Sequence, residues 1–135
     1  MMTFEDKFFV RFKFSREQIE KNLANALRDL EMAKKVNIRE VRFQYAYMAL
    51  IKGGIALLSH QQVRIKSFPG HQVKIIEKMA QILNDETIET LGNWMRQKRN
   101  LDFYSGGIEI TEKECQEYLD FAEKVLKRPK TLIQN

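Results

Sequence analysis

Cysteine is almost absent from this chain, and a long apolar run is missing altogether. The only thiol among the 135 residues is that of Cys115, so an internal disulfide is excluded and a reducing compartment is indicated. The longest apolar stretch, 46–51, is followed by Lys52 and is too short to span a bilayer. Near the start, Glu5 and Asp6 interrupt the segment where a secretory signal has its apolar region. The sequence therefore predicts a cytoplasmic protein without a membrane span.

Motifs for covalent, metal or cofactor chemistry are also missing. The chain has no glycine-rich phosphate loop, no nucleophile elbow and no pair of carboxylates at catalytic spacing. Its two histidines, His60 and His71, have no third His, Cys or Asp at the spacing of zinc ligands. We therefore expect neither a metal nor a cofactor.

The composition is that of one globular domain. Hydrophobic residues make up 44% of the chain and include nine Phe, which is enough apolar mass for a core. The 23 Lys and Arg residues outnumber the 18 Asp and Glu residues, so an anionic partner is mildly favoured. The basic residues are spread along the whole sequence, which suggests that most of them cover solvated helix faces.

Helical signals account for most of the chain. Ser15 with Gln18, and Thr111 with Glu114, form capping boxes that begin the first and last helices. Asn37 is placed to cap the second helix, and Pro129 is expected to end the last one. Five helices are predicted, over 15–36, 37–59, 71–83, about 85–105 and 111–128. Short connections between them predict an all-α fold, an antiparallel four- or five-helix up-and-down bundle.

The single domain, 1–135, is predicted to have three parts: an extended arm over 1–14, the bundle over 15–128 and a tail over 129–135. The second helix is apolar on nearly every side and should be central. In the arm, alternate positions carry apolar side chains in a strand pattern: Phe8, Val10, Phe12 and Phe14. Because a lone strand is not stable, the arm either lies on the bundle or pairs with its copy in another subunit.

The fourth helix carries the most informative charge. Leu91, Met95, Arg99 and Phe103 are four residues apart and form one line along the helix, whereas Arg96 and Lys98 point to other sides. A guanidinium beside an apolar stripe needs a carboxylate, a carbonyl or an anion. Arg99 is therefore either a structural partner of an acid such as Asp102 or Glu40, or a phosphate ligand.

The run 99–104, Arg-Asn-Leu-Asp-Phe-Tyr, resembles the signature region of HEPN domains, in which an Arg precedes a His by four to six positions. Tyr45, Tyr47, Ala49 and the stretch 53–58 resemble the long second helix of that family, and Gly70–His71 is similar to one bacterial and archaeal branch. The resemblance covers residues 16–128.

The resemblance implies a homodimer of helical bundles whose motif helices meet across the dimer axis. It implies a metal-independent ribonuclease of the toxin or defence type, or a non-catalytic RNA- or nucleotide-binding relative, and a nucleotidyltransferase as partner. Arg99 would hold the phosphate, with Asn100 as its polar neighbour. The chain departs from the motif at Tyr104, which stands where active members have His, and a phenol is a poor proton acceptor near neutral pH.

Two more residues are candidates for the same site. Lys52, inside an apolar helix, either extends its ammonium to an edge or meets a carboxylate or a phosphate in the cleft of Arg99. His71 is either a surface or capping residue or a displaced acid or base.

The leading hypothesis is a catalytically weak or inactive HEPN-like dimer that binds RNA or a nucleotide. The dimer would form through the fourth helix, with Leu91, Trp94, Met95 and Phe103 as its apolar surface. The alternatives are a genuine ribonuclease that uses Tyr104 or His71, and a purely structural helical module.

Overall fold

A computed structural model of the chain describes residues 3–105 and 109–134, apart from the side chains of 101–105. In these ranges it has five helices and two short strands: β1 Phe9–Arg11, α1 Arg16–Lys35, α2 Arg39–His60, β2 Val63–Ile65, α3 His71–Leu83, α4 Glu86–Ser105 and α5 Glu112–Gln134. The predicted all-α bundle is confirmed.

Helix α2 lies at the centre of the bundle, as its uniformly apolar sequence predicts. It packs against all four other helices and against β2. Phe43, Tyr47 and Leu50 on this helix are completely buried. Since most of α2 is buried, the charged faces of its neighbours form much of the surface of the protein.

Two adjacent glycines in α2 allow neighbouring helices to approach closely. A Cβ atom at Gly53 would overlap the side chain of Leu126 on α5, and one at Gly54 would overlap Ile75 and Met79 on α3. Close packing of three helices therefore offsets the helix-propensity cost of about 1 kcal/mol per glycine. The glycines serve packing in this helix.

The two predicted capping boxes are present, but the predicted cap of α2 is wrong. The hydroxyl of Ser15 accepts from the N–H of Gln18 at 3.1 Å, and the Gln18 side chain accepts from the Ser15 N–H at 2.8 Å. Helix α2 instead begins after Ile38 without a side-chain cap. The carbonyl of Ile38 accepts the N–H of Arg42, so Asn37 lies one residue outside the helix. Tertiary packing of this apolar helix replaces the missing cap.

Pro129 does not end the last helix. Helix α5 continues through it to Gln134, so the predicted tail is mostly helical. Pro129 is buried, on the same face as the buried residues Val125 and Ile133. A proline inside a helix costs about 3 kcal/mol in lost hydrogen bonding and steric clash. The burial of this face outweighs that cost.

The N-terminal arm lies on the bundle of its own chain. Strand β1 pairs antiparallel with β2, with Phe9 opposite Ile65 and Arg11 opposite Val63. The segment between α2 and α3, which the sequence predicts only as a connection, contains β2, the partner strand of β1. The carboxylate of Glu5 also contacts Lys74 and Lys78 on α3, at 3.0 and 3.3 Å. The arm is therefore held to the bundle by these ion pairs and by the pairing of β1 with β2.

No helix in the described part of the chain has both the length and the hydropathy needed to cross a membrane.

Candidate functional site

Arg99 lies in a cleft between the start of α3 and the second half of α4. The cleft has a volume of about 390 Å³ and is lined by Ser67, Phe68, Pro69, Gly70, His71, Gln72, Val73, Arg96, Arg99 and Asn100. Gly70 turns the chain into α3 with a φ of 86°, in the left-handed region that glycine adopts without strain. The backbone of this turn forms one wall of the cleft.

The guanidinium of Arg99 is half-buried and has no acidic partner among the described side chains. Its Cζ atom lies 5.8 Å from the ring centroid of Tyr47, and its buried Nε has no hydrogen-bond partner within the described part of the chain. Neither Glu40 nor any other carboxylate among the described side chains pairs with it. Because an unpaired buried donor costs about 1–3 kcal/mol, the cleft favours a ligand that accepts hydrogen bonds.

Arg96 adds a second positive charge to the cleft. Its Nε donates to Oδ1 of Asn93 at 3.2 Å, which fixes the side chain along α4. Asn100 lines the same wall and is exposed. Sequence reasoning placed Arg96 on another side of the helix, although a residue three positions before Arg99 lies on the same helix face. That spacing was the signal that could have identified it.

The opposite wall presents donors from α3. The Tyr47 hydroxyl donates to Oε1 of Gln72 at 2.6 Å, so the Gln72 amide group is fixed with its NH₂ available for a ligand. Burial raises the pKa of Tyr47 well above its usual value, although Arg99 and Arg96 oppose the shift, and the phenol therefore stays a neutral donor. The pairing of Tyr47 with Gln72 had no local signal, since it joins two helices.

The positive end of the helix dipole of α3, at its N-terminus, is not neutralised by a side chain of its cap or first turn. Gly70 offers no side-chain cap, and no acidic residue lies in the first turn. The first N–H groups of a helix favour an anion. They lie on the same side of the cleft as Gln72, opposite the two arginines.

His71 brings an imidazole ring to this wall. Its Nδ1 lies 2.9 Å from the carbonyl oxygen of Phe68. Since a carbonyl only accepts, Nδ1 carries the proton in the neutral ring and Nε2 is free to accept one. The structure therefore brings His71, Arg99 and Asn100 together, as the sequence-based hypothesis required.

Lys52 and Tyr104, the other two predicted site residues, are not among the described residues of the cleft. Lys52 does not line the cleft, because its ammonium pairs with the buried carboxylate of Asp29 at 2.7 Å and joins α1 to α2. The side chain of Tyr104 is outside the described residues, as are those of Asp102 and Phe103.

In the described part of the chain, no three His, Cys, Asp or Glu side chains cluster as metal ligands do. Comparisons with protein-family models, with curated proteins and with solved structures found no match to this chain. The cleft and the residues that resemble the HEPN motif are therefore the evidence for a function.

Proposed function

We propose that the cleft binds a phosphate group of RNA or of a nucleotide, and that the protein is a HEPN-like dimer with weak or no catalytic activity. The observation that carries this proposal is that Arg99 lines an open cleft and pairs with no carboxylate among the described side chains. A phosphate in the cleft would supply the missing anion, and a guanidinium binds phosphate through two parallel hydrogen bonds.

The charge of the cleft supports the same ligand. Arg96 and Arg99 lie on one wall, and the uncapped start of α3 lies on the other. No carboxylate among the described side chains lines the cleft. Converging donors without a competing anion favour a phosphate over a neutral ligand.

Weak activity follows from the proton acceptors that the chain offers. Tyr104 replaces the His of active HEPN proteins, and a phenol accepts a proton poorly near neutral pH. Tyr47 is a second phenol beside Arg99, and burial raises its pKa, so it does not act as a base either.

A metal-independent ribonuclease is the second candidate, and His71 favours it. His71 lines the cleft and has its Nε2 free, so it can take a proton from a group bound beside Arg99. A purely structural module has less support, because the cleft is open and not filled by side chains. The resemblance to HEPN proteins supports a nucleotidyltransferase as the protein partner.

The test is the Arg99→Ala variant. We expect at least about 10-fold weaker binding of RNA and of a nucleoside monophosphate, since a hydrogen bond to a charged group contributes about 1.5–3 kcal/mol. Binding is measured by calorimetry in EDTA, which prevents metal-dependent cleavage. The melting temperature should stay close to that of the wild type, because Arg99 has no ion pair to lose among the described side chains.

Arg28→Ala is the matched control, because Arg28 is exposed on α1, away from the cleft. A large fall in melting temperature with unchanged binding in Arg99→Ala would show that Arg99 is a structural residue. Wild-type protein that binds neither probe would contradict the proposed function.

A further inference from the structure

The net positive charge of the chain is concentrated on its two-stranded sheet. Residues 7–14 contain β1 and residues 61–68 contain β2, and we name these two segments the basic ribbon. The basic ribbon holds five of the 23 Lys and Arg residues and none of the 18 Asp and Glu residues. The rest of the chain therefore has 18 residues of each sign, so the formal charge of +5 resides on the basic ribbon.

Strand pairing directs part of this charge outward. Val10 lies opposite Arg64, and the neighbouring Phe9 is buried against the bundle at 3% exposure. Because side chains alternate across a strand, Val10 and Arg64 face away from the bundle. The guanidinium of Arg64 lies 5.0 Å from the ring centroid of Phe12, which is 38% exposed. An aromatic ring and a planar cation thus form one exposed surface.

The cations of the basic ribbon are not neutralised by carboxylates. Among the described side chains, no carboxylate pairs with the five basic residues, Lys7, Arg11, Lys13, Arg64 and Lys66. The ammonium of Lys66 donates to the main-chain oxygen of Asp6 at 2.6 Å, which positions the charge without cancelling it. The positive potential of the ribbon therefore extends into solvent.

The basic ribbon leads directly to the cleft of Arg99. Phe68, at its end, lines the cleft. On α3, Lys74 follows the cleft residue Val73, and its ammonium lies 5.5 Å from the ring centroid of Phe8 in the ribbon. The cleft and the ribbon are therefore neighbouring parts of one surface.

We propose that the basic ribbon extends the phosphate site into a binding surface for single-stranded RNA several nucleotides long. This inference rests on the proposed function, since one phosphate of the strand would occupy the cleft. The remaining phosphates meet the unpaired cations, and an unstacked base packs against Phe12 and Arg64.

A duplex does not fit this surface. Strands β1 and β2 have three residues each, which corresponds to about 10 Å, and one side of the sheet is buried against the bundle. A β-ribbon that reads a duplex enters the major groove, and this ribbon does not project from the protein. Single-stranded RNA has exposed bases and a flexible backbone, which match an exposed ring beside spaced cations.

The experiment measures the binding of a labelled oligouridylate of about 12 nucleotides by fluorescence anisotropy in EDTA, at several salt concentrations. The test variant is Arg64→Gln with Lys13→Gln. We expect its RNA affinity to fall about 10-fold or more and its salt dependence to decrease by about one counterion per lost cation. Binding of uridine monophosphate should not change, since neither residue lines the cleft.

The control removes two positive charges elsewhere, by Lys113→Gln with Lys124→Gln on α5, where both residues are exposed. Equal RNA affinity in the ribbon and control variants would overturn the ribbon proposal and leave the cleft proposal intact. Tighter binding of a duplex, or of phosphatidylserine vesicles, than of the single strand would also overturn it. If Arg99→Ala binds RNA and uridine monophosphate like the wild type, the cleft proposal fails, whatever the ribbon variant does.

Discussion

His71 brings an imidazole ring to the cleft. Its Nδ1 is engaged by the Phe68 carbonyl, so the free nitrogen is Nε2. Arg99 stands on the other wall of the same cleft. Under the proposed function, cleavage of RNA would depend on His71, which lines the cleft, and on Tyr104, which stands where the HEPN motif has His.

We expect the wild-type protein to cleave single-stranded RNA slowly or not at all in EDTA. Tyr104→His would supply a group that titrates near neutrality, and general acid–base help contributes typically about 10²–10⁴-fold. The variant should release products with a cyclic phosphate end, measured by gel electrophoresis and mass spectrometry. Tyr104→Phe is the control, because it removes the hydroxyl without adding a base.

Brisk cleavage by the wild type in EDTA, lost in His71→Ala, would favour the ribonuclease candidate over the binding one. A folded Tyr104→His variant that stays silent would contradict the HEPN-like geometry of the site.

Asp85 caps the start of α4 and also joins this helix to α5. The carboxylate of Asp85 accepts from the Thr87 N–H at 3.0 Å and from the Thr87 hydroxyl at 2.6 Å. Its other oxygen accepts from Arg128 on α5 at 3.0 Å. The Thr87 hydrogen bonds, followed by Arg128, hold the pKa of Asp85 below its usual range.

This lowered pKa predicts a pH dependence of stability with a definite sign. A carboxyl whose pKa is lower in the folded state stabilises the protein above its unfolded pKa of about 4, and the contribution disappears as the pH falls through the folded pKa. Asp85→Asn keeps a side chain that can cap the helix and removes only the charge, so it should lower the free energy of unfolding at neutral pH by about 0.3–1 kcal/mol, the range of a charge at a helix N-terminus or in an exposed ion pair. The difference from the wild type should vanish as the pH falls through the folded-state pKa of Asp85.

Urea denaturation followed by circular dichroism across this pH range measures the effect. Glu89→Gln is the matched control, because Glu89 is exposed on the same helix. A difference between Asp85→Asn and the wild type that persists at the lowest pH would show that the charge of Asp85 is not its source.

The surface between α4 and α5 bears on the assembly of the whole protein. Trp94 is 54% exposed and lines a groove of about 340 Å³ with Leu91, Glu114, Glu117, Tyr118 and Phe121. Met95, expected in a dimer interface, is completely buried in the core of its own chain. Leu91 and Trp94 of the expected interface residues therefore line this groove, and Met95 does not reach it. The side chain of Phe103, also expected in the interface, lies outside the described residues.

We predict a two-fold dimer through this face at micromolar concentration. Trp94→Glu should give a monomer with unchanged helical content, because a half-exposed Trp is a typical anchor of an interface and a carboxylate there would oppose its copy and the two glutamates. Multi-angle light scattering measures the mass. Ile38→Glu is the control, since Ile38 is 60% exposed at the start of α2 and does not line the groove. A wild-type monomer at this concentration would contradict the prediction.

Local interactions made most of the helical bundle predictable from the sequence. The capping boxes at Ser15 and Thr111 join residues three positions apart, so a short stretch of sequence contains both partners. The apolar surface of α2 predicted its central position, where two adjacent glycines let neighbouring helices pack closely. The predicted bounds of α3 agree with the structure because Gly70 and Asn84 flank it.

Interactions between distant residues were decided only by the tertiary structure. The partner of β1 lies more than fifty residues away along the chain, so no local pattern could identify it. Lys52 meets Asp29, Gln72 meets Tyr47, and Pro129 stays helical, each because another helix packs there. The basic residues are spread along the sequence, yet strand pairing gathers the excess charge on one two-stranded sheet. Sequence periodicity reports which face of an element is apolar, whereas the partner of that face depends on how the elements pack.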